Sequence, residues 1–289
     1  IERIAPSDVS VLITGESGTG KEVVADLIHT LSPKNEGPFI KINCAALPRE
    51  LIESELFGSV KGAFTGSQGD REGLFRQAES GTLLLDELSE MPIDTQSKLL
   101  RVLQEKEVRP VGGRTSYKTD CRIIAATNRQ VEQALKEGKL REDLYYRISA
   151  ISVHLPPLRD RRDDVLPLAK AFLKRYASQA DRPIADFTPA AAERLKKYDW
   201  PGNVRQLQNE VQRAVLMCEG GAVDVHDLSI TDTVSDPAYE NLTLMEAMER
   251  NKIVEVLRET SGNKLETAKR LGIGRQTLYN KIKAYELKP

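Results

Sequence analysis

The sequence predicts an α/β fold: a five-stranded parallel sheet covered by helices, then an all-helical segment and a C-terminal helix-turn-helix. Three observations predict it. Residues 1–155 alternate short apolar runs with segments of helical spacing, as parallel strands joined by right-handed crossovers do. The first run, Val9, Val11, Leu12 and Ile13, leads directly into Gly15-Glu-Ser-Gly-Thr-Gly-Lys21 and then into Val23, Val24, Ala25, Leu27 and Ile28 at helical spacing. Beyond residue 155 the strand pattern stops and helical spacing alone remains.

At 289 residues the chain exceeds one average domain, so two or three units are expected. With 42 basic against 43 acidic residues, net charge names no partner until it is split by region. Cys44, Cys121 and Cys218 are far apart, odd in number and without a CxxC pair, which fits reduced thiols in a cytoplasmic protein rather than a disulfide scaffold or zinc site. His29, His154 and His226 are equally scattered. No apolar run is long enough to span a bilayer, so no membrane partner is expected. The chain starts at Ile1 without Met, and an upstream part is expected.

Strands are expected near 9–14, 39–43, 82–86, 122–127 and 151–155. After the first, three glycines let the backbone curl so that several N–H groups converge, and a helix from about Lys21 turns its positive dipole end to the same point. Gly15, Glu16, Ser17, Gly18, Thr19, Gly20 and Lys21 therefore form a candidate phosphate cradle, with Lys21 as the mobile charge for β and γ phosphates. The simplest form of this motif has Ser or Thr after the lysine, touching magnesium, but here Glu22 stands there, a candidate metal contact directly or through water.

The run Gly81-Thr-Leu-Leu-Leu-Asp-Glu87 is continuously apolar and ends in two carboxylates, which a buried strand does not otherwise tolerate. Asp86 is placed to hold a magnesium hydration shell and Glu87 to polarise an attacking water. Arg122-Ile-Ile-Ala-Ala-Thr-Asn128 repeats the arrangement, ending in Thr127 and Asn128 within reach of a γ phosphate or its water. Residues 58–73, rich in Gly and Ser with Phe64 the only aromatic, read as an inserted contact loop, or else as an ordinary loop with Phe64 folded inward. Residues 165–176, 189–198 and 203–218 read as the helices of a lid, and 231–240 as a linker.

Met245, Met248, Ile253, Val256 and Leu257 form an amphipathic pattern, followed by helix 265–271, a Gly272-Ile-Gly274 turn and helix 275–285. From 260 to 289 seven basic residues face two acidic ones, a balance suited to phosphate contacts. Arg275, Gln276, Thr277, Asn280 and Lys281 lie on or near the groove-facing side.

Gly15 to Glu22, Asn43-Cys-Ala-Ala46, Gly62-Ala-Phe-Thr-Gly-Ser67, Gly81 to Glu87, Ala126-Thr-Asn128, Arg141-Glu-Asp-Leu-Tyr-Tyr-Arg147 and Trp200-Pro-Gly-Asn-Val-Arg205 together resemble the bacterial enhancer-binding proteins, AAA+ ATPases that activate sigma-54 RNA polymerase. Glu after the P-loop lysine is usual in that family. The resemblance implies an AAA+ P-loop subdomain over 1–155, a helical lid over 156–230, the linker 231–240 and a Fis-like DNA-binding domain over 241–289. It further implies ATP and Mg2+ as cofactors, Asn43 restraining Glu87 until nucleotide is properly bound, Asn128 with Thr127 as first sensor and Arg205 as second sensor. Arg141 and Arg147 become fingers reaching a neighbouring subunit's γ phosphate in a hexamer or heptamer, although six residues apart they need not share a helical face, and pairing with Glu142 or Asp143 is the plain alternative. Gly62, Ala63, Phe64, Thr65, Gly66 and Ser67 become the sigma-54 contact, Ser67 replacing the family's usual Ala. The implied activity is ATP hydrolysis that remodels the closed promoter complex, with the terminal domain dimerising on enhancer DNA and any receiver or sensory domain, as in a two-component system, lying upstream of Ile1. The alternative is a DNA-bound repressor or origin-binding protein that binds ATP without remodelling.

Overall fold

The computed structural model describes residues 1–63, 69–230, 252–254, 256–257, 260 and 263–285. Phe64, Thr65, Gly66, Ser67, the 231–240 linker, Met245, Met248 and Lys288, and the side chains of Gln276, Asn280 and Lys283, lie outside the described residues. Two compact units, Ile1–Ile230 and Thr231–Pro289, are described separately.

In the first unit, strands β1 (Val11–Thr14), β2 (Phe39–Asn43), β3 (Thr82–Asp86), β4 (Arg122–Thr127) and β5 (Ile151–His154) form one parallel sheet in the order β2-β3-β4-β1-β5. The continuously apolar runs are the inner strands: β4 is buried throughout and β3 up to Leu85. Such runs need cover on both faces, and the register provides two. Leu12, Ile42, Leu83, Leu85, Ile123 and Ala125 point to a core shared with α2 (Arg49–Phe57), α3 (Ile93–Glu105), α4 (Val131–Lys136) and α5 (Glu142–Ile148). The alternate residues Val11, Ile13, Leu84, Ile124 and Ala126 pack on Ala25 and Ile28 of α1 (Lys21–Thr30). Val23 and Leu27, expected among the apolar positions of this helix, are 69% and 43% exposed.

Register also sets the functional edge. Thr14 pairs with Thr127 and Asn43 with Asp86, so Gly15, Cys44, Glu87 and Asn128 all emerge from the carboxyl ends of adjacent strands. In open parallel sheets this is the ligand edge.

The β2 to β4 region holds structure that periodicity did not reveal. A two-residue antiparallel pair joins Glu107–Val108 to Tyr117–Lys118. Ser59 bridges both Arg71 and Val111, and the Val111 N–H donates to the Gly58 carbonyl at 2.8 Å, tying the base of the inserted loop to the following one.

Residues 156–230 are not purely helical, contrary to the expectation. Asp186–Phe187 and Ala222–Val223 form a short parallel pair, too brief to leave a period in the sequence. Around it α6 (Val165–Gln179), α7 (Pro189–Lys197) and α8 (Asn203–Met217) enclose a second core built on Trp200, whose Nε1 donates to the Leu195 carbonyl at 2.9 Å. Thr188 caps α7 by accepting the Ala191 N–H, with Pro189 at the first helical position.

In the second unit Asn263 caps α9 (Lys264–Leu271), accepting from the N–H groups of Leu265 and Glu266. Gly272, at φ 67°, ends that helix in the left-handed conformation glycine favours, and α10 (Arg275–Ala284) follows after Ile273 and Gly274. Ile253, Leu257, Ala268, Leu278, Ile282 and Tyr285 form the core of this helix-turn-helix unit.

Candidate active site

The Gly15 to Lys21 loop passes from β1 into α1 without a side-chain cap on the helix, leaving first-turn N–H groups available to an anion. Gly20 takes φ 103° and Gly18 takes φ 78°. A Cβ on Gly18 would stand 2.5 Å from the Gly202 carbonyl oxygen, so the lid meets this loop backbone to backbone.

Lys21 is 8% exposed and its Nζ donates to the carbonyls of Gly15 at 2.9 Å and Glu16 at 3.1 Å. Burial draws its pKa below the ordinary lysine value, and the carboxylates of Glu87 and Asp86 oppose that shift. The basic and acidic parts of the site are thus electrostatic neighbours.

Glu87 adopts φ 53°, an uncommon conformation for a residue with a side chain. Its N–H donates to Asp86 Oδ1 at 3.0 Å, and its Oε2 accepts the Asn128 N–H at 3.2 Å. Burial raises the Glu87 pKa, with Asp86 adding to the rise and the Asn128 bond and Lys21 opposing it. A more basic carboxylate beside a buried ammonium is suited to accepting a proton from water.

Asn43, Glu22 and Thr127 make contacts that the sequence did not reveal. Asn43 is exposed, and its Oδ1 accepts the Ala45 N–H at 2.9 Å. It stands in register with Asp86 on the edge strand, whereas the Glu87 carboxylate reaches the other neighbour, at Asn128 beyond β4. Glu22 is paired with Lys41 on β2, whose Nζ stands 2.9 Å from its carboxylate and 2.7 Å from that of Asp26. The Thr127 hydroxyl is buried against Ser89 Oγ at 3.1 Å, and Asn128 is the exposed member of that pair.

Among the described residues no group of three or more His, Cys, Asp or Glu is arranged to hold a metal. Magnesium needs no such cage, because one or two carboxylates plus substrate phosphates and water complete its octahedron. Asp86, the last residue of β3 with Oδ1 accepting its neighbour's N–H, fits that requirement.

The lid reaches the loop through more residues than Arg205. Arg205 donates its N–H to the Gly18 carbonyl at 3.3 Å and its Nη1 to Ser17 Oγ at 3.1 Å. Arg161 Nη2 donates to the Thr19 carbonyl at 2.8 Å, Arg159 grips both Glu16 carboxylate oxygens at 2.9 and 2.5 Å, and Asn203 Nδ2 reaches Glu16 and Ser17. Arg159, Arg161 and Asn203 were not anticipated; the only hint lay in the cluster Arg159-Asp-Arg-Arg162 and in Asn203 beside Arg205.

Arg141 forms a bidentate pair with Asp143 at 3.0 and 2.7 Å, the plain alternative of the sequence reading, while its N–H donates to Gln96. Arg147 Nη2 donates to the Leu103 carbonyl at 3.0 Å. Gly62 and Ala63 stand at the entry to the inserted loop, where Gly112 approaches Ala63. In the C-terminal unit Arg275 and Thr277 are exposed, and Lys281 lies 5.9 Å from the Tyr285 ring centroid.

Residues 1–154 match the sigma-54 interaction domain family. The chain belongs to that family. Residues 159–241 match the AAA+ ATPase lid domain, and 244–285 the Fis family of bacterial regulatory proteins. The chain is similar to the regulatory protein AtoC of Escherichia coli K12, 48% identical over 99% of this chain and 65% of the relative. It is also similar to the response regulator PilR of Pseudomonas aeruginosa, 44% identical over 98% of this chain and 66% of that one. The chain therefore spans about two thirds of the length of these relatives. Among solved structures, NtrX from Brucella abortus in complex with ATP superposes with a TM-score of 0.72 at 36% identity, over 99% of this chain and 66% of the other. Its ADP complex gives 0.73 at the same identity and coverage. This sigma-54 interaction family member thus combines an AAA+ fold with a Fis-type helix-turn-helix.

Proposed function

We propose that this chain is the motor and DNA-binding part of a cytoplasmic sigma-54-dependent transcriptional activator. It binds ATP at Gly15 to Lys21, hydrolyses it, and uses the cycle to convert the closed sigma-54 RNA polymerase promoter complex to the open one. The observation that carries this reading is the meeting of Lys21, Asp86, Glu87 and Asn128 at one sheet edge, with Glu87 made more basic by burial.

In this scheme the loop N–H groups and Lys21 hold the phosphates, and Arg205 closes on them from the lid. Glu87 takes a proton from water as the water oxygen attacks the γ phosphorus; the bond to the β–γ bridging oxygen breaks and ADP departs with phosphate formed. Asp86 would hold Mg2+, which when bound neutralises charge developing on the phosphates. Arg141 and Arg147, directed in their own chain to Asp143 and Leu103, are read as groups that a neighbouring protomer of a hexameric or heptameric ring receives. The Gly62 to Ser67 loop carries the force to sigma-54, and Arg275, Gln276, Thr277, Asn280 and Lys281 face enhancer DNA in a dimer of terminal domains.

The test is ATP turnover with the Glu87→Gln variant. Retained ATP binding with hydrolysis lowered by about 100-fold or more supports the base assignment. Normal turnover removes Glu87 from that role, and binding without turnover in the unsubstituted chain favours an ATP-bound repressor or origin-binding protein.

A further inference from the structure

We propose that Asn203 and Arg159 are positioning residues that latch the helical lid to the P-loop through Glu16, and so preset the loop for nucleotide before any nucleotide is present. The proposal rests on reading that loop as the nucleotide site.

Five consecutive loop carbonyls, Gly15 to Thr19, are each engaged by a donor of the same chain. Lys21 takes Gly15 and Glu16, Asn203 takes Ser17, Arg205 takes Gly18 and Arg161 takes Thr19. Three of these four donor residues come from the lid. A peptide whose carbonyl is drawn outward turns its N–H the opposite way, so the lid helps to shape the inward-facing nest that binds phosphate.

Asn203 is the centre of this latch. It is fully buried at the first position of α8, with φ 52°, which only a few residue types adopt at all readily. Its Oδ1 accepts the Leu158 N–H at 2.7 Å, while its Nδ2 donates to Glu16 Oε2 at 3.1 Å and to the Ser17 carbonyl at 3.0 Å. One carboxamide therefore joins the P-loop, the segment after β5 and the start of α8. Arg205 follows two residues later, so its reach over the loop depends on how Asn203 seats the helix.

Arg159 completes the latch by a two-pronged grip on Glu16. Both side chains are about two-fifths exposed (41% and 42%), and such a pair alone contributes little. Tethered by the buried amide, however, the Glu16 carboxylate has one orientation in which it meets Arg159 and Asn203 together. Its ionised form is favoured first by Arg159 and then by Asn203, so the latch is set throughout the neutral range.

The experiment uses the whole chain with dyes on exposed sites of α1 and α6, ADP titration, and steady-state ATP turnover. Asn203→Gly keeps the left-handed backbone and deletes the amide; Asn203→Asp puts a carboxylate against Glu16; Arg159→Ala and Arg159→Lys remove the charge or only the fork. The latch predicts a broader lid-to-loop distance without nucleotide in Asn203→Gly, Asn203→Asp and Arg159→Ala. It also predicts roughly tenfold weaker ADP and a KM raised by a similar factor, with kcat changed less than about twofold, the size expected when a hydrogen bond to a charged group is lost. Arg159→Lys should fall between. Lowering pH toward the carboxyl range should narrow the distance again in Asn203→Asp alone. Unchanged apo distances and ADP affinity in Arg159→Ala and Asn203→Gly, with or without a lowered melting temperature, overturn the latch. If the unsubstituted chain binds neither ADP nor ATP, the nucleotide reading fails, and the apo distances still decide whether the latch exists.

Discussion

Replacing Gly18 by alanine tests the backbone contact between lid and P-loop, and Gly20 supplies the internal control. Both residues hold positive φ, 78° and 103°, but a Cβ at Gly20 meets nothing within 4 Å. At Gly18 it meets the Gly202 carbonyl oxygen at 2.5 Å and Arg205 Cβ at 3.2 Å. Gly20→Ala therefore carries only the conformational penalty of a left-handed alanine, about 1 to 2 kcal/mol. Gly18→Ala adds the cost of forcing apart two backbone segments, about 1 to 3 kcal/mol more. The neighbours of Gly18 are backbone and a Cβ, which cannot swing aside as a long side chain would, so relief requires the lid to move. Urea titration followed by Trp200 fluorescence reads the difference, since that indole is fully buried in the lid core. A Gly18→Ala midpoint clearly below that of Gly20→Ala is expected. Equal midpoints would refute the close approach of Gly202 to the loop.

Other consequences follow from the same geometry. The Glu16 carboxyl is lowered to about 2 from its ordinary 4.5, mainly by Arg159, so its contribution to stability is present above pH 4.5 and is lost as pH falls toward 2. Acid unfolding of Glu16→Gln should accordingly lose part of the steepness seen across that interval in the unsubstituted chain. Mixing inactive Arg147→Ala with inactive Glu87→Gln protomers should restore turnover if Arg147 serves its neighbour, and co-assembly without recovery would place it elsewhere. In the exposed first turn of α10, Arg275→Ala should narrow the gap between specific and random DNA by about 1 to 3 kcal/mol in binding titrations, whereas an equal loss on both would assign it to the backbone.

The central sheet was legible because its inner strands are apolar on both faces and end abruptly in polar residues. Leu83 to Leu85 with Asp86, and Ile123 to Ala126 with Thr127, carry both the strand and the edge in one short run. The P-loop was legible for the same reason, its glycines, lysine and following helix being contiguous. What escaped was long-range or brief. The pairs at 107–108 with 117–118 and at 186–187 with 222–223 have two residues per strand, one period of alternation and too few to repeat it. Arg159 and Asn203 meet Glu16 across more than 140 residues, and nothing local distinguishes them from surface polar residues. The bond from the Asn128 N–H to Glu87 was equally hidden, because it depends on strand register and on the left-handed backbone at Glu87. The pairing of Glu22 with Lys41 escaped for the same reason, since the first turn of α1 borders the edge strand only in the folded chain.

Hydrolysis at this sheet edge is proposed to drive promoter opening. The direct measurement is the yield of open complexes from preformed sigma-54 closed complexes, with ATP or a non-hydrolysable analogue, for the unsubstituted chain and Glu87→Gln. Opening with ATP in the unsubstituted chain alone, increased by linked enhancer DNA, is the predicted result. Opening by Glu87→Gln, or with the analogue in place of ATP, would contradict it.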